Sequence, residues 1–562
     1  MKGLLRYSTA IISSFPLIFF GLAPLKGTAQ ASIGSFDDTR GSIVAFETKN
    51  IQYNLMQMAS GKCSLISSCL VLEKTAATIS GMKESGSQSA KQGAPEVSNF
   101  LKPGTPDEYP PGSINSTKGN VPPAGSSFQA LTHVVGSHLG IVTRPVTAFK
   151  RLFFLAYDTL KDTIGWPAIS VKANRTIQEM PVSKTMDLEA WERRLDEMTG
   201  SETSYGRLIF LVDGEEFFPR FFKAVEGARR SVNIRTYIFD NDDFAINVAD
   251  TLRERSEDVD VKVLLDGWGT IAATKVKPDT LPPDYEPPGS VRHYLTSGSK
   301  LSVRQQPNPW FAGDHSKTII VDEEKAFIGG MNFGREYRYE WHDLMVEVDG
   351  PVVGNIADDF GKAWAGGGLL GDIGSFFHSL KKRKERDLRQ GYPVRILYTR
   401  PGDSEIRNTQ LEAIRRSKAF IYLENPYFTD DRALNELVKA SHRGVDVKVV
   451  LPKDGNNGVI DRSNALAANK MLRNGIKVYL LPRMSHVKAA VYDGWACFGS
   501  ANFDKLSFRV NYEVNLGTSH VETVRNLIDR LFIPDFNASH ELTEELPVQA
   551  QDYLLELVAD QL

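Results

Sequence analysis

Cysteine is almost missing from this chain of 562 residues: Cys63, Cys69 and Cys497 are the only three. Cys63 and Cys69 lie close enough for one short disulfide in an oxidising compartment, or stay as two free thiols. Cys497 sits in an apolar run with no histidine at a diagnostic position, so it reads as a small buried hydrophobe rather than a nucleophile. An excess of charge of either sign is missing too. A net charge of −3 and a pI near 6.4 argue against a protein built mainly to coat nucleic acid, though they leave room for a local basic patch. Histidine is scarce, with ten in the chain. The composition is otherwise ordinary for a globular protein, and the length allows two to four domains with substantial cores.

One long apolar run is present, at the start. Lys2 and Arg6 precede an apolar stretch from Tyr7 to Leu25, and Ala29-Gln30-Ala31 has the small-x-small form of a cleavage site. This predicts an export signal over 1–31, or an uncleaved membrane anchor in its place; both put the bulk of the chain outside the cytoplasm, in the periplasm or on the periplasmic face of the inner membrane. Residues 32–127 are linker-rich, with Gly, Ser and Pro dominating from about Gly81. Asn115, Asn174 and Asn537 form N-x-Ser/Thr sequons, which matter only where exported proteins are glycosylated. A helical segment follows over 128–200. Its apolar residues Phe149, Leu152, Phe153, Ala156, Leu160 and Ile164 recur at helical spacing, which ordinarily means a core-facing helix. With Lys150, Arg151 and Lys161 beside them, a membrane-surface helix is the alternative.

Beyond residue 200 the chain repeats itself. SVNIRTYIFDNDD and VDVKVLLDG in the first copy answer to FIYLENPYFTDD and VDVKVVLPKDG in the second, each Val-rich run lying between helical patterns. Strands alternating with helices predict an α/β domain made twice, over 201–378 and 393–540, each with its own sheet. A basic run, LKKRKERDLRQ, joins them (379–392), as a solvated linker or as a partner for anionic headgroups. A short helix over 541–562 ends the chain.

The copies agree most closely at HSKTIIVD (His315–Asp322) and HVKAAVYD (His486–Asp493). Ten histidines would give about 0.04 chance matches to His-x-Lys-x4-Asp. In a strand, side chains two apart share a face, so His315 points with Lys317 and His486 with Lys488. Each motif runs into a returning strand that ends at Asn332 or Asn502, and an acid stands eleven residues further on, Asp343 or Glu513. The other histidines (His133, His138, His293, His342, His378, His442, His520, His540) read as ordinary satisfied side chains. A metal is disfavoured at the repeated pair, because a lysine two residues away repels it and the spacing matches no common ligand set.

Histidine, lysine and asparagine together suit a phosphodiester. Lysine and amide groups hold non-bridging oxygens, one imidazole attacks phosphorus, and another protonates the leaving alkoxide. A carboxylate behind each ring fixes its tautomer. Two copies facing one phosphate supply both roles, so the repeat predicts one site rather than two.

HSKTIIVDEEKAFIGGMN and HVKAAVYDGWACFGSANFD resemble the paired motifs of the phospholipase D superfamily, and GSANFDKLSFRVNYEVNL is similar to its bacterial cardiolipin synthase branch. The resemblance spans roughly 205–540. It implies two tandem α/β domains in a pseudo-twofold pair with one shared active site, no metal or other cofactor, and a phosphohistidine intermediate resolved by water or an alcohol. By the same resemblance His315 would be the nucleophile and His486 the general acid. Lys317, Lys488, Asn332 and Asn502 would bind phosphate, and Asp343 and Glu513 would orient the histidines. Asp322 and Asp493, counted with the site set, would be mainly structural, acting through the hairpin. The expected partners are a phospholipid and a membrane surface, with no nucleic acid, and the chain would be a monomer with an internal pseudo-dimer. Two readings compete: a secreted nuclease of the same superfamily, and a non-catalytic lipid-binding scaffold. The chain departs from the pattern in a second hairpin one residue shorter, and in a front end unlike the paired membrane-spanning helices of typical cardiolipin synthases.

Overall fold

The β-branched runs of both copies form strands. In the computed structural model, which describes residues 133, 135–164, 185–200, 203–273, 278–309, 312–380, 391–549 and 552, the first copy supplies β1 (Ser204–Val212), β2 (Ser231–Thr236), β3 (Asp260–Asp266), β4 (Ser302–Gln306), β5 (Thr318–Val321), β6 (Lys325–Gly329) and β7 (Leu344–Asp349). The second supplies β8 (Tyr392–Arg400), β9 (Asp403–Ser404), β10 (Phe420–Glu424), β11 (Asp446–Pro452), β12 (Lys477–Leu481), β13 (Ala489–Tyr492), β14 (Trp495–Gly499) and β15 (Glu513–Thr518), and β16 (His540–Glu541) pairs with β12. The expected export segment, Cys63 and Cys69, the linker-rich stretch, the sequons at Asn115 and Asn174, the basic run from 381 and residues 550–551 and 553–562 lie outside the described residues; over 541–549, where a terminal helix was expected, Glu541 ends β16 and the chain goes on without a helix.

Strand order in the first half is β4-β3-β2-β5-β6-β7-β1, and the second half repeats it in reverse as β8-β15-β14-β13-β10-β11-β12. The expected two sheets are one. The edge strands β1 and β8 pair antiparallel, from Ser204↔Val394 to Gly206↔Tyr392, which joins the halves into a single 16-stranded sheet. Each edge thereby satisfies backbone groups that would otherwise face water.

The principal helices among the described residues are α1 (Pro145–Ile164), α2 (Leu188–Met198), α3 (Asp213–Glu226), α4 (Asp243–Arg255), α5 (Val352–Gly366), α6 (Gly371–Ser379), α7 (Glu405–Arg416), α8 (Asp431–His442) and α9 (Gly458–Arg473). The aspartates that follow β2 and β10 start the helices: Asp242 caps α4 through Ala245 N–H and Asp430 caps α8 through Ala433 N–H. Phe217, Phe218, Phe221 and Phe222 of α3 are buried in the first half's core. The second half's core takes in Trp191 and Leu195 of α2, which precedes the first half in sequence; Trp191 lies edge-on to Trp495 at 5.1 Å. A third cluster draws on both halves, with Phe210 against Phe498 at 5.0 Å.

Helix α1 reverses the core-facing expectation. Phe149 and Phe153 point outward, 67% and 51% exposed, while among the side chains described on this helix the buried ones are Ala148 and Arg151. Arg151 donates to the Ala312 carbonyl and lies over the Tyr512 ring at 4.9 Å. Among the described residues no helix is long and apolar enough to cross a membrane.

Candidate active site

Backbone pairing between the halves builds the site. Just before the first motif, Asp314 bridges Tyr512, and His315 N–H donates to the Tyr512 carbonyl at 2.9 Å. Just before the second, Ser485 bridges His342, and His486 N–H donates to the His342 carbonyl at 2.6 Å. Tyr512 and His342 each immediately precede an acid. Each histidine is therefore stitched beside the acid of the opposite copy.

The side chains follow. His315 Nδ1 lies 3.0 Å from Glu513 Oε2, and His486 Nδ1 lies 2.7 Å from Asp343 Oδ2. Facing a carboxylate, Nδ1 of His315 carries the proton, which leaves its Nε2 lone pair free to attack; with Asp343 protonated, His486 accepts at Nδ1 and carries its proton on Nε2. The shorter acid is accommodated by a glycine: a Cβ on Gly330 would stand 2.1 Å from Asp343 Oδ1. At the matching position of the second copy Ser500 instead donates to Glu513 Oε2 at 2.6 Å. The Gly-Gly and Gly-Ser variants of the motif thus go with Asp and Glu respectively.

Lys317 and Lys488 are buried with the histidines, each donating to the carbonyl of the histidine two residues earlier (2.7 and 2.5 Å). Burial pushes Lys317 down to about 7 and Lys488 down to about 8. Burial also lowers both histidines; the lysines lower them further, and Glu513 opposes the shift at His315. Burial lifts Asp343 to about 7 against the pull of Lys488. Asn332 donates to Tyr337 Oη at 2.8 Å and accepts from Ile238 N–H. Asn502 hydrogen-bonds Asp504, and its Oδ1 is buried without a partner.

Sequence reasoning missed the aromatic walls. The Tyr237 ring meets His315 edge-on at 4.7 Å and stands 5.3 Å from Lys317 Nζ. Tyr337 and Trp341 face His486 at 5.6 and 5.4 Å. Tyr337 opens out of a five-residue π-turn, Glu336–Glu340, four residues beyond Asn332; Leu506–Val510 repeats that turn four residues beyond Asn502. That matching offset was the available signal. His342, read as an ordinary satisfied histidine, has Asp213 at Nδ1 (2.7 Å) and Asp535 at Nε2 (3.1 Å), and those carboxylates outweigh its burial and hold it protonated.

Asp322 and Asp493 do not belong to the site, which corrects their inclusion among its residues. They occupy the far ends of the motif strands, roughly 20 Å along an extended chain from the histidines. Asp322 has φ 56° and accepts from the N–H groups of Arg229, Arg230 and Ser231. Asp493 has φ 53° and accepts from Met186, Lys418, Ala419 and Phe420. They lock the hairpins to the starts of β2 and β10. The shorter second hairpin turns over Asp493-Gly494 alone, since Tyr492 pairs with Trp495, whereas three residues separate Val321 from Lys325. Cys497 is buried, with its thiol pushed up to about 12.

A family model described as "Cardiolipin synthase, PLD-like domain" matches residues 221–364 and 411–532, one stretch in each copy. The chain belongs to the phospholipase D superfamily. Within this superfamily it is cardiolipin synthase-like. It is 29% identical over 365 residues to a cardiolipin synthase of Listeria monocytogenes serotype 4a (strain HCC23), covering 61% of this chain and 72% of that one. It is 28% identical over 358 residues to cardiolipin synthase A of Pseudomonas fluorescens (strain SBW25), covering 60% and 69%. Its fold is similar to that of phosphatidylserine synthase from Haemophilus influenzae Rd KW20, with a TM-score of 0.50 at 12% identity over 66% of this chain and 97% of that one.

Proposed function

We propose that this phospholipase D-type enzyme is a phosphatidyltransferase of cardiolipin-synthase kind, working through a covalent phosphohistidine. The observation that carries the reading is the crosswise pairing: each histidine is oriented by a carboxylate from the other copy. Neither copy makes a complete site alone. Nε2 of His315 bonds to phosphorus as the P–O bond to the leaving alcohol breaks, and the departing oxygen takes the Nε2 proton of His486. His486 then removes a proton from the acceptor hydroxyl, whose oxygen attacks phosphorus and breaks the P–N bond. An alcohol acceptor gives transfer, and water gives hydrolysis.

The assignment of roles rests on Asp343. With its carboxyl lifted to about 7, the His486–Asp343 pair retains a proton near neutrality, as a general acid must. Lys317, Lys488, Asn332 and Asn502 hold the non-bridging oxygens, where their fixed donors meet the charge that develops in the transition state.

The same reading puts the enzyme on a lipid surface outside the cytoplasm. Its export-like first 31 residues support the compartment. The exposed Phe149, Phe153 and Tyr157 of α1, stacked at 6.2 Å spacings, and the exposed Ile373, Phe376 and Phe377 of α6 support the surface. Asp372 of α6 caps the start of α1 through Val146 and Thr147 N–H, so the two apolar faces adjoin, and a basic run follows α6 in sequence. Aromatic side chains flanked by cations suit an anionic headgroup layer.

The test is product analysis by mass spectrometry after incubation with phosphatidylglycerol or phosphatidylethanolamine vesicles, with and without glycerol, and separately with plasmid DNA. Headgroup exchange or phosphatidic acid release is expected. DNA cleavage without lipid turnover would move the assignment to the nuclease reading.

A further inference from the structure

Asp240, Asp242 and Glu336 bring three buried carboxylates together outside the catalytic set, one oxygen of each within 4.8 Å of the others. They come from the two segments that wall the active site. Asp240 and Asp242 follow Tyr237 between β2 and α4, and Glu336 begins the π-turn that carries Tyr337. Phe239 bridges Phe333 where these segments meet, and Asp240 N–H donates to the Phe333 carbonyl at 2.8 Å.

Three ionised carboxylates cannot share a buried volume without protons or a cation. Burial lifts all three carboxyls above the ordinary carboxylate range, and the neighbouring acids push Asp242 and Glu336 further the same way. Arg335 gives Asp242 only its backbone N–H, at 2.5 Å, while its guanidinium goes to Asp243 and Thr280. Asp240 also accepts from Asn241 N–H, and Asp242 from Ala245 N–H. Glu336 Oε2 is different. It is buried without any hydrogen-bond partner, on a residue only 6% exposed. It turns toward Asp240 across Gly334, where a Cβ would lie 3.1 Å from Oε2 and 3.4 Å from the Asp240 Cβ. The buried group His342, Glu424 and Asp535 contrasts with this one, because there the protonated imidazole supplies the positive charge.

We propose that Asp240, Asp242 and Glu336 bind a hard divalent cation. The donors are all carboxylate oxygens, which select Ca²⁺, Mg²⁺ or Mn²⁺ over softer metals. The cation takes no part in phosphoryl chemistry. It clamps the loop bearing Tyr237 to the turn bearing Tyr337, and so holds both aromatic walls in register around the histidines.

Full-length protein stripped with EDTA and dialysed is titrated with CaCl₂ by calorimetry, with MgCl₂ and MnCl₂ in parallel, and unfolding is followed with and without the ion. One divalent cation per chain is expected, with the unfolding midpoint raised by several degrees. Asp240→Asn/Glu336→Gln should weaken binding at least tenfold and abolish the shift. His315→Ala should bind as the wild type does, which separates this site from the catalytic reading. If the double variant does not fold, Glu336→Gln alone makes the comparison, since Oε2 has no donor to lose. Absence of binding by all three ions, or undiminished binding by the variants, would overturn the proposal.

Discussion

Replacing Glu513 by Gln tests the crosswise pairing at one atom. Glu513 is buried, accepts from His315 Nδ1 at 3.0 Å and is held by Ser500 Oγ at 2.6 Å. Glutamine can still accept from Nδ1–H, so the ring keeps its tautomer and the variant removes mainly charge. That charge matters when His315 becomes cationic on attacking phosphorus. Two unit charges about 3 Å apart at an effective dielectric near 20 interact by about 5 kcal/mol. The amide dipole restores part of this, leaving a loss of about 3–4 kcal/mol, or roughly 10²–10³ in rate. Initial rates would be compared on lipid vesicles and on a p-nitrophenyl phosphodiester, with unfolding midpoints as a control. Glu513→Gln should be slow on both substrates, because both require His315 to attack phosphorus and become cationic. Asp343→Asn should be slow on the lipid yet largely rescued by the nitrophenyl substrate, whose leaving group needs no proton. A Glu513→Gln variant within about threefold of wild type, or one rescued by the better leaving group, would refute the reasoning.

Other outcomes follow from the same geometry. Lys317 and Lys488, lowered to about 7 and about 8, bind phosphate only when charged, so KM should rise as pH climbs through that range. Asp343, raised to about 7, surrenders its proton over the same range, so kcat on lipid should fall there too. The lowered histidines keep the acidic limb below pH 6.5, and a pH–rate profile rising above pH 8 would contradict both signs. Asp493→Ala removes the acceptor of four backbone N–H groups and should cost about 2–4 kcal/mol of stability in urea unfolding while sparing KM. Phe149→Ser/Phe153→Ser should weaken sedimentation with anionic vesicles several-fold and leave turnover of a soluble phosphodiester unchanged. Unaltered sedimentation would take α1 out of the lipid-facing surface.

The side chains that the structure gathers at the candidate site were legible in sequence because their spacings are local. Histidine and lysine share a strand face two residues apart, the asparagine ends the returning strand, and the acid recurs eleven residues on. What joins the copies was not legible. The Asp314–Tyr512 and His342–Ser485 bridges span more than a hundred residues, so no local pattern indicates that Asp343 serves His486 rather than His315. The β1–β8 ladder that merges the sheets is likewise long-range, as is the placement of α2 on the second half's core. The stripe on α1 shows where periodicity stops short: spacing identified an apolar face but could not say whether protein or another apolar phase covers it. Asp322 and Asp493 show the converse. They repeat as regularly as the histidines, yet their work is to lock hairpins.

The central claim is one phosphate-handling site assembled from both copies, with His315 as its nucleophile. The most direct measurement is intact and peptide mass spectrometry of acid-sensitive phosphoryl adducts, on protein quenched during turnover of the p-nitrophenyl phosphodiester. His486→Ala would be used to slow resolution of the intermediate. The account predicts a single adduct per chain, mapped to His315 and absent from His315→Ala. Adducts on both histidines of one chain, or an adduct at His486 in the wild type, would contradict it.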